Sequence, residues 1–319
     1  MKGSPLEKPN YTPQFSGHET FPLRYGWLKK THDAVVEDLQ KENQERSIFY
    51  DARAIAKFGV GKNMVSAMRH WATQCGMVQG GGKGNEITPT ELGEKLFSDQ
   101  GLDPFMEIPS TGWLIHWKLA SSPEKTTWFW FFNHFSGNQF ERHQLVENLT
   151  KFARDRNWSI SSQATIKRDV ECFVRTYAAR PITQKQTLED SLECPLTELG
   201  LIKSIGKNSG FRLVRGPKST IGNGVFIYSI LDFWERVSSA QTLSFEALAH
   251  YPGSPGRVFL LTEDALADRL GNLEELTGGQ LRWSETAGLK QLVRSERLDL
   301  ENREAWIDLD YSNSNKKVA

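Results

Sequence analysis

One helix–turn–helix–hairpin unit constrains the fold of this 319-residue chain more than any other feature. Asp51–Gly59 reads as a short helix, with Asp51 as N-cap and Gly59 as the residue that ends it. The tight turn Val60-Gly61 follows. From Lys62 to Cys75, the apolar residues Met64, Val65, Met68, Trp71 and Ala72 fall on one helical stripe. Met77-Val78 and Glu86-Ile87-Thr88 then flank the glycine-rich stretch Gln79–Asn85, which predicts two short strands around a basic tip. Helix, turn, helix and hairpin in this order predict a winged helix-turn-helix.

The unit is echoed downstream. Arg142–Arg154 carries Leu145, Leu149 and Phe152 at helical spacing, and the next helix carries Lys167, Val170, Phe173 and Tyr177. Pro195-Leu196-Thr197-Glu198-Leu199-Gly200 resembles Pro89-Thr90-Glu91-Leu92-Gly93, which predicts equivalent places in two copies of one fold. Gly206–Gly210 would be the second wing tip and Phe211–Val214 its returning strand. A third, acidic unit reads as two helices, Ser244–Leu248 and Glu263–Leu270, then a strand at Leu281–Trp283 and a further helical phrase from Ser284. The expected fold class is therefore α+β, mainly α, with tandem winged helix-turn-helix units and short β-wings. The expected divisions are residues 1–122, 123–218 and 219–319.

Between the first two units, Trp113, Trp117, Trp128, Phe129, Trp130, Phe131, Phe132 and Phe135 crowd one stretch. Such rings can stack nucleobases. The i,i+4 spacing of Trp113/Trp117 and Trp128/Phe132 favours core. Asp308 and Asp310 share a side if their segment is extended, and are expected to face solvent.

Ahead of these units, Phe15–Lys30 sets His18, Glu19, Arg24, Lys29 and Lys30 among aromatic rings, at the head of a helix expected to begin near Pro22. The phrase Ser16-Gly17-His18-Glu19-Thr20-Phe21, followed by Arg24 and Trp27-Leu28-Lys29-Lys30, resembles the opening of a bacterial DUF-type family found with DNA phosphorothioation operons. The SspB-type nickase of Ssp defence systems resembles it too. That resemblance implies a DNA-binding, antiphage-defence role in which duplex DNA is nicked so that sulfur can enter the backbone. It implies a cysteine desulfurase, an ATP-dependent sulfurtransferase and an ATPase as partners.

The residues permit that chemistry in outline. Phosphodiester hydrolysis needs a base, an acid and a stabiliser of the pentavalent phosphate. His18 could be base or acid and Arg24 could hold the phosphate. Glu19 could orient His18 or bind a divalent ion such as Mg²⁺. The alternative for His18 and Glu19 is structural: a satisfied buried imidazole and a helix cap. For duplex contact, Lys62, Asn63, Ser66, Arg69 and His70 line the polar side of the first recognition helix. Lys167, Arg168 and Arg175 are their counterparts in the second, while Lys83 and Lys207 sit at the wing tips. The Gly80–Gly84 stretch lacks the GxxxxGK[ST] pattern of a nucleotide-binding loop.

Charge is zero overall but uneven. Residues 219–319 carry ten basic and fifteen acidic side chains, leaving twenty-nine and twenty-four in the rest. A basic front and an acidic back suit an anion-facing protein with an interaction module behind. The three cysteines have no metal-ligand spacing. No apolar run is long enough to span a bilayer, and a cytoplasmic location is expected. A homodimer is compatible with the chain. A non-enzymatic winged-helix adaptor or transcriptional regulator is the competing function, and a protein-binding scaffold without DNA contact is a third.

Overall fold

The computed structural model describes residues 3–41, 47–50, 53–80, 86–159, 162–178, 194–206, 210–286 and 288–312. They form an α+β fold, mainly helical, with three small antiparallel sheets. Asp51, Lys83 and Lys207 lie outside the described residues. No described helix is long and apolar enough to cross a membrane.

Two central helices organise the rest: α5 (Pro109–Ser121) and α6 (Thr126–His134). Trp113, Trp117, Trp128, Phe129, Phe131 and Phe132 are all buried. Both helices are covered on every side, which is why their sequence is apolar all round rather than striped. The aromatic stretch is therefore core, and the apolar cluster it anchors is continuous from Leu6 to Tyr311.

On the N-terminal side, α1 (Trp27–Leu39) packs on α3 (Lys62–Gln74), which follows α2 (Ala54–Phe58). Gly59 ends α2 at φ +67°, as its position implied. Strands β1 (Val78–Gly80) and β2 (Ile87–Pro89) form the hairpin, and α4 (Glu91–Phe97) follows. Helix α1 starts at Trp27 rather than near Pro22, because Gly26 takes φ +74° and begins the helix only after a turn. Arg24 thus precedes the helix, and Glu19 does not cap it.

The middle region runs α6, β3 (Gln139–Glu141), α7 (Arg142–Asp155), α8 (Gln163–Tyr177), β4 (Ile202–Ile205) and β5 (Gly210–Leu213). Its sheet order is β3-β5-β4. The C-terminal region has the same plan. Helix α9 (Asn223–Val237) leads to β6 (Thr242–Ser244), α10 (Phe245–His250), α11 (Pro255–Val258), α12 (Glu263–Gly271) and α13 (Leu273–Leu276). Strands β7 (Leu281–Thr286) and β8 (Leu289–Arg294) then complete a sheet of order β6-β8-β7. In each region the first strand passes directly into a helix and its middle residue, Phe140 or Leu243, is buried against the last strand.

Three expectations are corrected. The two Thr-Glu-Leu-Gly phrases are not equivalent. Thr90 follows its hairpin and caps α4 through Gly93 N, whereas Pro195–Leu199 precedes its hairpin as a 3-10 turn ending at Gly200, φ +62°. The surroundings decide: Gly93 abuts the Met77 backbone too closely for any side chain, and Gly200 turns the chain into β4. Ser284–Thr286 continue β7 because all three pair with β8. Asp308 and Asp310 lie in a short helix, α14 (Asp308–Tyr311). There Asp310 accepts from Gly224 N at 2.7 Å and Val225 N at 2.9 Å, capping α9 from across the molecule.

Candidate nucleic-acid interface

The Phe15–Gly26 segment crosses between α3 and α8. Its backbone is strained: Ser16, Gly17, Glu19 and Thr20 have φ of +70°, +86°, +48° and +68°. For three of these residues a side chain makes that region costly. The distortion exposes Ser16, Gly17, Glu19 and Thr20 while turning His18 inward, 1% exposed. Gly17 is required twice over. A Cβ there would sit 2.5 Å from His70 Nδ1, so the positive φ and the close approach of the α3 imidazole both demand glycine.

Both His18 nitrogens are engaged. Nδ1 accepts from Thr20 N at 3.0 Å, which places the proton of a neutral ring on Nε2, and Nε2 donates to Asp169 Oδ1 at 2.8 Å. Asp169 Oδ1 also accepts from Ser16 N at 2.9 Å, with Lys125 Nζ at 3.4 Å. Asp169 and Lys125 are buried, at 0% and 2%. Burial works against the Asp169 charge, but the Lys125 ammonium and the His18 hydrogen bond outweigh it and hold the carboxyl below its usual range. Asp169 Oδ2 makes no hydrogen bond of good geometry, although the Thr127 hydroxyl lies near enough to favour the charged form. Lys125 Nζ also donates to Ser16 O at 3.3 Å and lies 4.7 Å from the Trp128 ring centroid.

His70 joins this cluster from α3, its ring 6.0 Å from that of His18. Burial, with the Lys125 charge next, pushes its pKa well below the ordinary value, and its Nε2 is buried without a hydrogen bond. Three further bonds seal the loop to the two helices. Trp71 Nε1 and Cys172 Sγ both donate to Phe21 O, at 3.0 and 3.4 Å, and Arg175 Nη1 donates to Thr20 O at 3.0 Å.

Around this junction the expected nucleic-acid residues divide. Lys30, Lys62, Asn63, Lys167 and Arg168 are exposed, and Ser66 is partly so. Arg69 places its guanidinium 5.1 Å from the Tyr50 ring centroid and donates to the Tyr50 hydroxyl, so it is tied to a neighbouring ring. Lys29 instead bonds Asp33 at 2.6 Å and Asp99 at 2.7 Å, so its charge is neutralised within the fold. Arg24 lies over Phe21 and Trp27, 5.8 and 5.7 Å from their ring centroids. Among the described residues, no three His, Cys, Asp or Glu side chains gather to hold a metal ion.

In the sequence, Asp169 reads only as an acidic interruption of a basic face. Its position carried the signal: it shares a stripe with Ile166, Val170 and Phe173, where a carboxylate is buried and needs a partner. Lys125 gave no comparable sign.

The family described as protein of unknown function (DUF4007) matches residues 15–311, beginning at the first residue of the strained segment. The chain belongs to that family. Two solved structures of SspB, one with a magnesium ion bound, are similar to it, each with 26% identity. The magnesium-bound structure has a TM-score of 0.79 over 99% of this chain and 98% of that one. The other has a TM-score of 0.78 over 98% and 100%. No curated protein matches. The DUF4007 chain is thus similar to SspB along its whole length, as the Phe15–Lys30 resemblance implied.

Proposed function

We propose that this DUF4007 chain is a DNA-binding component of a phosphorothioation-based antiphage system, gripping duplex DNA with α3 and α8 as paired recognition helices. The observation that carries this reading is their convergence on one loop: Gly17 meets His70 of α3, and His18, Ser16 and Thr20 bond Asp169 and Arg175 of α8. Exposed cations stand on both helices, Lys62 on α3 and Lys167 and Arg168 on α8, and this reading sets them on one DNA-facing surface. The matched strand orders β3-β5-β4 and β6-β8-β7 support reading both regions as winged-helix units, with the α2–α3–hairpin region as a third.

Similarity to SspB makes nicking of duplex DNA the proposed activity, in concert with a cysteine desulfurase, an ATP-dependent sulfurtransferase and an ATPase. In this reading His18 positions the loop, and Glu19 and Arg24 are the signature's groups to test for chemistry. Fluorescence anisotropy on duplex DNA at two salt concentrations tests binding. Lys62→Ala with Arg69→Ala should weaken it by about 1–3 kcal/mol, with a steep loss of affinity as salt rises. Unchanged affinity in both that variant and Lys167→Ala/Arg168→Ala would refute the two-helix surface. Supercoiled-plasmid nicking with and without Mg²⁺ tests the chemistry, and Glu19→Gln should slow it while duplex affinity is retained. The adaptor reading is favoured by one observation, that neither His18 nitrogen is available as a base. Tight duplex binding with plasmid left supercoiled would establish it.

A further inference from the structure

A cation cluster lies apart from the α3–α8 junction, where β5 passes into α9. The turn from Val214 to Lys218 is pinned to the end of α11 by Gly216 N, which donates to Leu260 O at 3.1 Å. Arg269 Nη2 holds the other side of the turn through the carbonyls of Lys218 and Ile221, at 2.7 and 3.0 Å. Leu260 N in turn donates to Arg257 O at 3.2 Å, so the turn lies against the Arg257–Leu260 backbone, and Arg215 faces Lys218 on one side and Arg257 on the other. Lys218 is 8% exposed, and its ammonium, with three protons to donate, bonds only Val214 O at 2.7 Å. Arg257 donates Nε to His250 O at 3.2 Å, and neither it nor Arg215 is paired with a described carboxylate.

The like charges act on one another. Burial first, then Arg215, pushes the Lys218 pKa down to about 8, and burial with Arg257 lowers that of Arg215. Burying an ammonium beside a guanidinium that itself faces a second, with no described carboxylate paired to them, is unfavourable, and an arriving anion relieves it. The α3–α8 surface shows the contrast, since its buried cation, Lys125, has the Asp169 carboxylate.

We propose that Arg215, Lys218 and Arg257 form a phosphate-binding site whose ligand is a phosphodiester of the DNA backbone. The choice of DNA as the source rests on the duplex-binding reading above. The chemistry of the site does not, because free phosphate would satisfy the same three cations. The site would clamp duplex DNA at a second point, between the middle and C-terminal regions, without reading bases.

The test uses the full chain and Arg215→Gln, which removes an exposed guanidinium, alongside Arg257→Gln and the double variant. Thermal melts in sodium phosphate are compared with sodium chloride at matched ionic strength, and duplex affinity is measured against salt. The parent protein should melt higher in phosphate than in chloride, and the double variant should lose that difference. The slope of log affinity against log salt should fall by about 1 for each phosphodiester that a variant no longer neutralises. A phosphate-specific stabilisation with an unchanged slope would assign the site to free phosphate and overturn the DNA source. Equal melting in phosphate and chloride, with an unchanged slope, would overturn the site. If the parent chain binds no duplex, the α3–α8 reading fails and the phosphate melts still decide whether the cluster binds anions.

Discussion

Replacing Asp169 by alanine strikes the group on which the junction between α3 and α8 depends. The change removes the acceptor for His18 Nε2 and Ser16 N and leaves the Lys125 ammonium, 2% exposed, with a single carbonyl at 3.3 Å. Breaking a buried ion pair from one side costs about 3–5 kcal/mol, chiefly the uncompensated charge left behind. The orphaned His18 and Ser16 donors carry a further penalty of about 1–3 kcal/mol each if no water enters. These penalties overlap, because relaxation that relieves one relieves the others. An overall loss of about 4 kcal/mol is expected, a large share of the stability of an ordinary domain. Equilibrium urea unfolding of Asp169→Ala, Lys125→Met and the double variant Lys125→Met/Asp169→Ala measures it. The double variant should be at least about 2 kcal/mol more stable than the Asp169 single, since it removes both charges. Duplex affinity should fall in the Asp169 single as the two helices lose their fixed relation. A cost below about 1 kcal/mol, or a double variant that merely sums the singles, would refute the network.

Other outcomes follow from the same geometry. Gly17→Ala should destabilise by about 1–2 kcal/mol from the left-handed backbone alone, more if the His70 ring cannot shift, and an unaltered thermal melt would count against that packing. Asp310→Ala should cost about 0.5–2 kcal/mol by uncapping α9, whereas Asp308→Ala, which loses only a half-exposed pair with Lys95, should cost less than about 1 kcal/mol; equal effects in urea titrations would contradict the assignment. Acid should destabilise through His116, buried between the Tyr177 hydroxyl and the Val258 carbonyl, whose pKa burial lowers to about 4. The unfolded ring takes up a proton near pH 6.5 and the folded one near 4. Stability present above about 6.5 is therefore lost across that window, by about 3 kcal/mol. His116→Gln should flatten the decline in stability measured from about pH 7 to about pH 4.

Periodicity and turn chemistry determined much of this protein. The α2–turn–α3–hairpin order, the glycine that ends α2 and the buried aromatic pair α5–α6 follow from residues a few positions apart. Local energetics act over that range, so the sequence displays them directly. The strained Ser16–Thr20 segment was conspicuous as a phrase, yet its role was not. His18 could have been a surface base or a buried donor until α8 brought Asp169 to it across 151 positions of sequence. The strands β3 and β6, three residues each, have no periodicity of their own and exist because β5 and β8 pair with them. Asp310 is polar by composition and accepts from the first turn of α9 only because α14 meets that helix. The two Thr-Glu-Leu-Gly phrases teach the same lesson from the other side. Identical letters entered a helix after one hairpin and a 3-10 turn before another, because the surrounding backbone decided which groups were already satisfied. Which residues could be buried was set locally. Which of the buried polar groups meet, and hence where a site can exist, was set only by the tertiary structure, through the need to give every desolvated charge a partner.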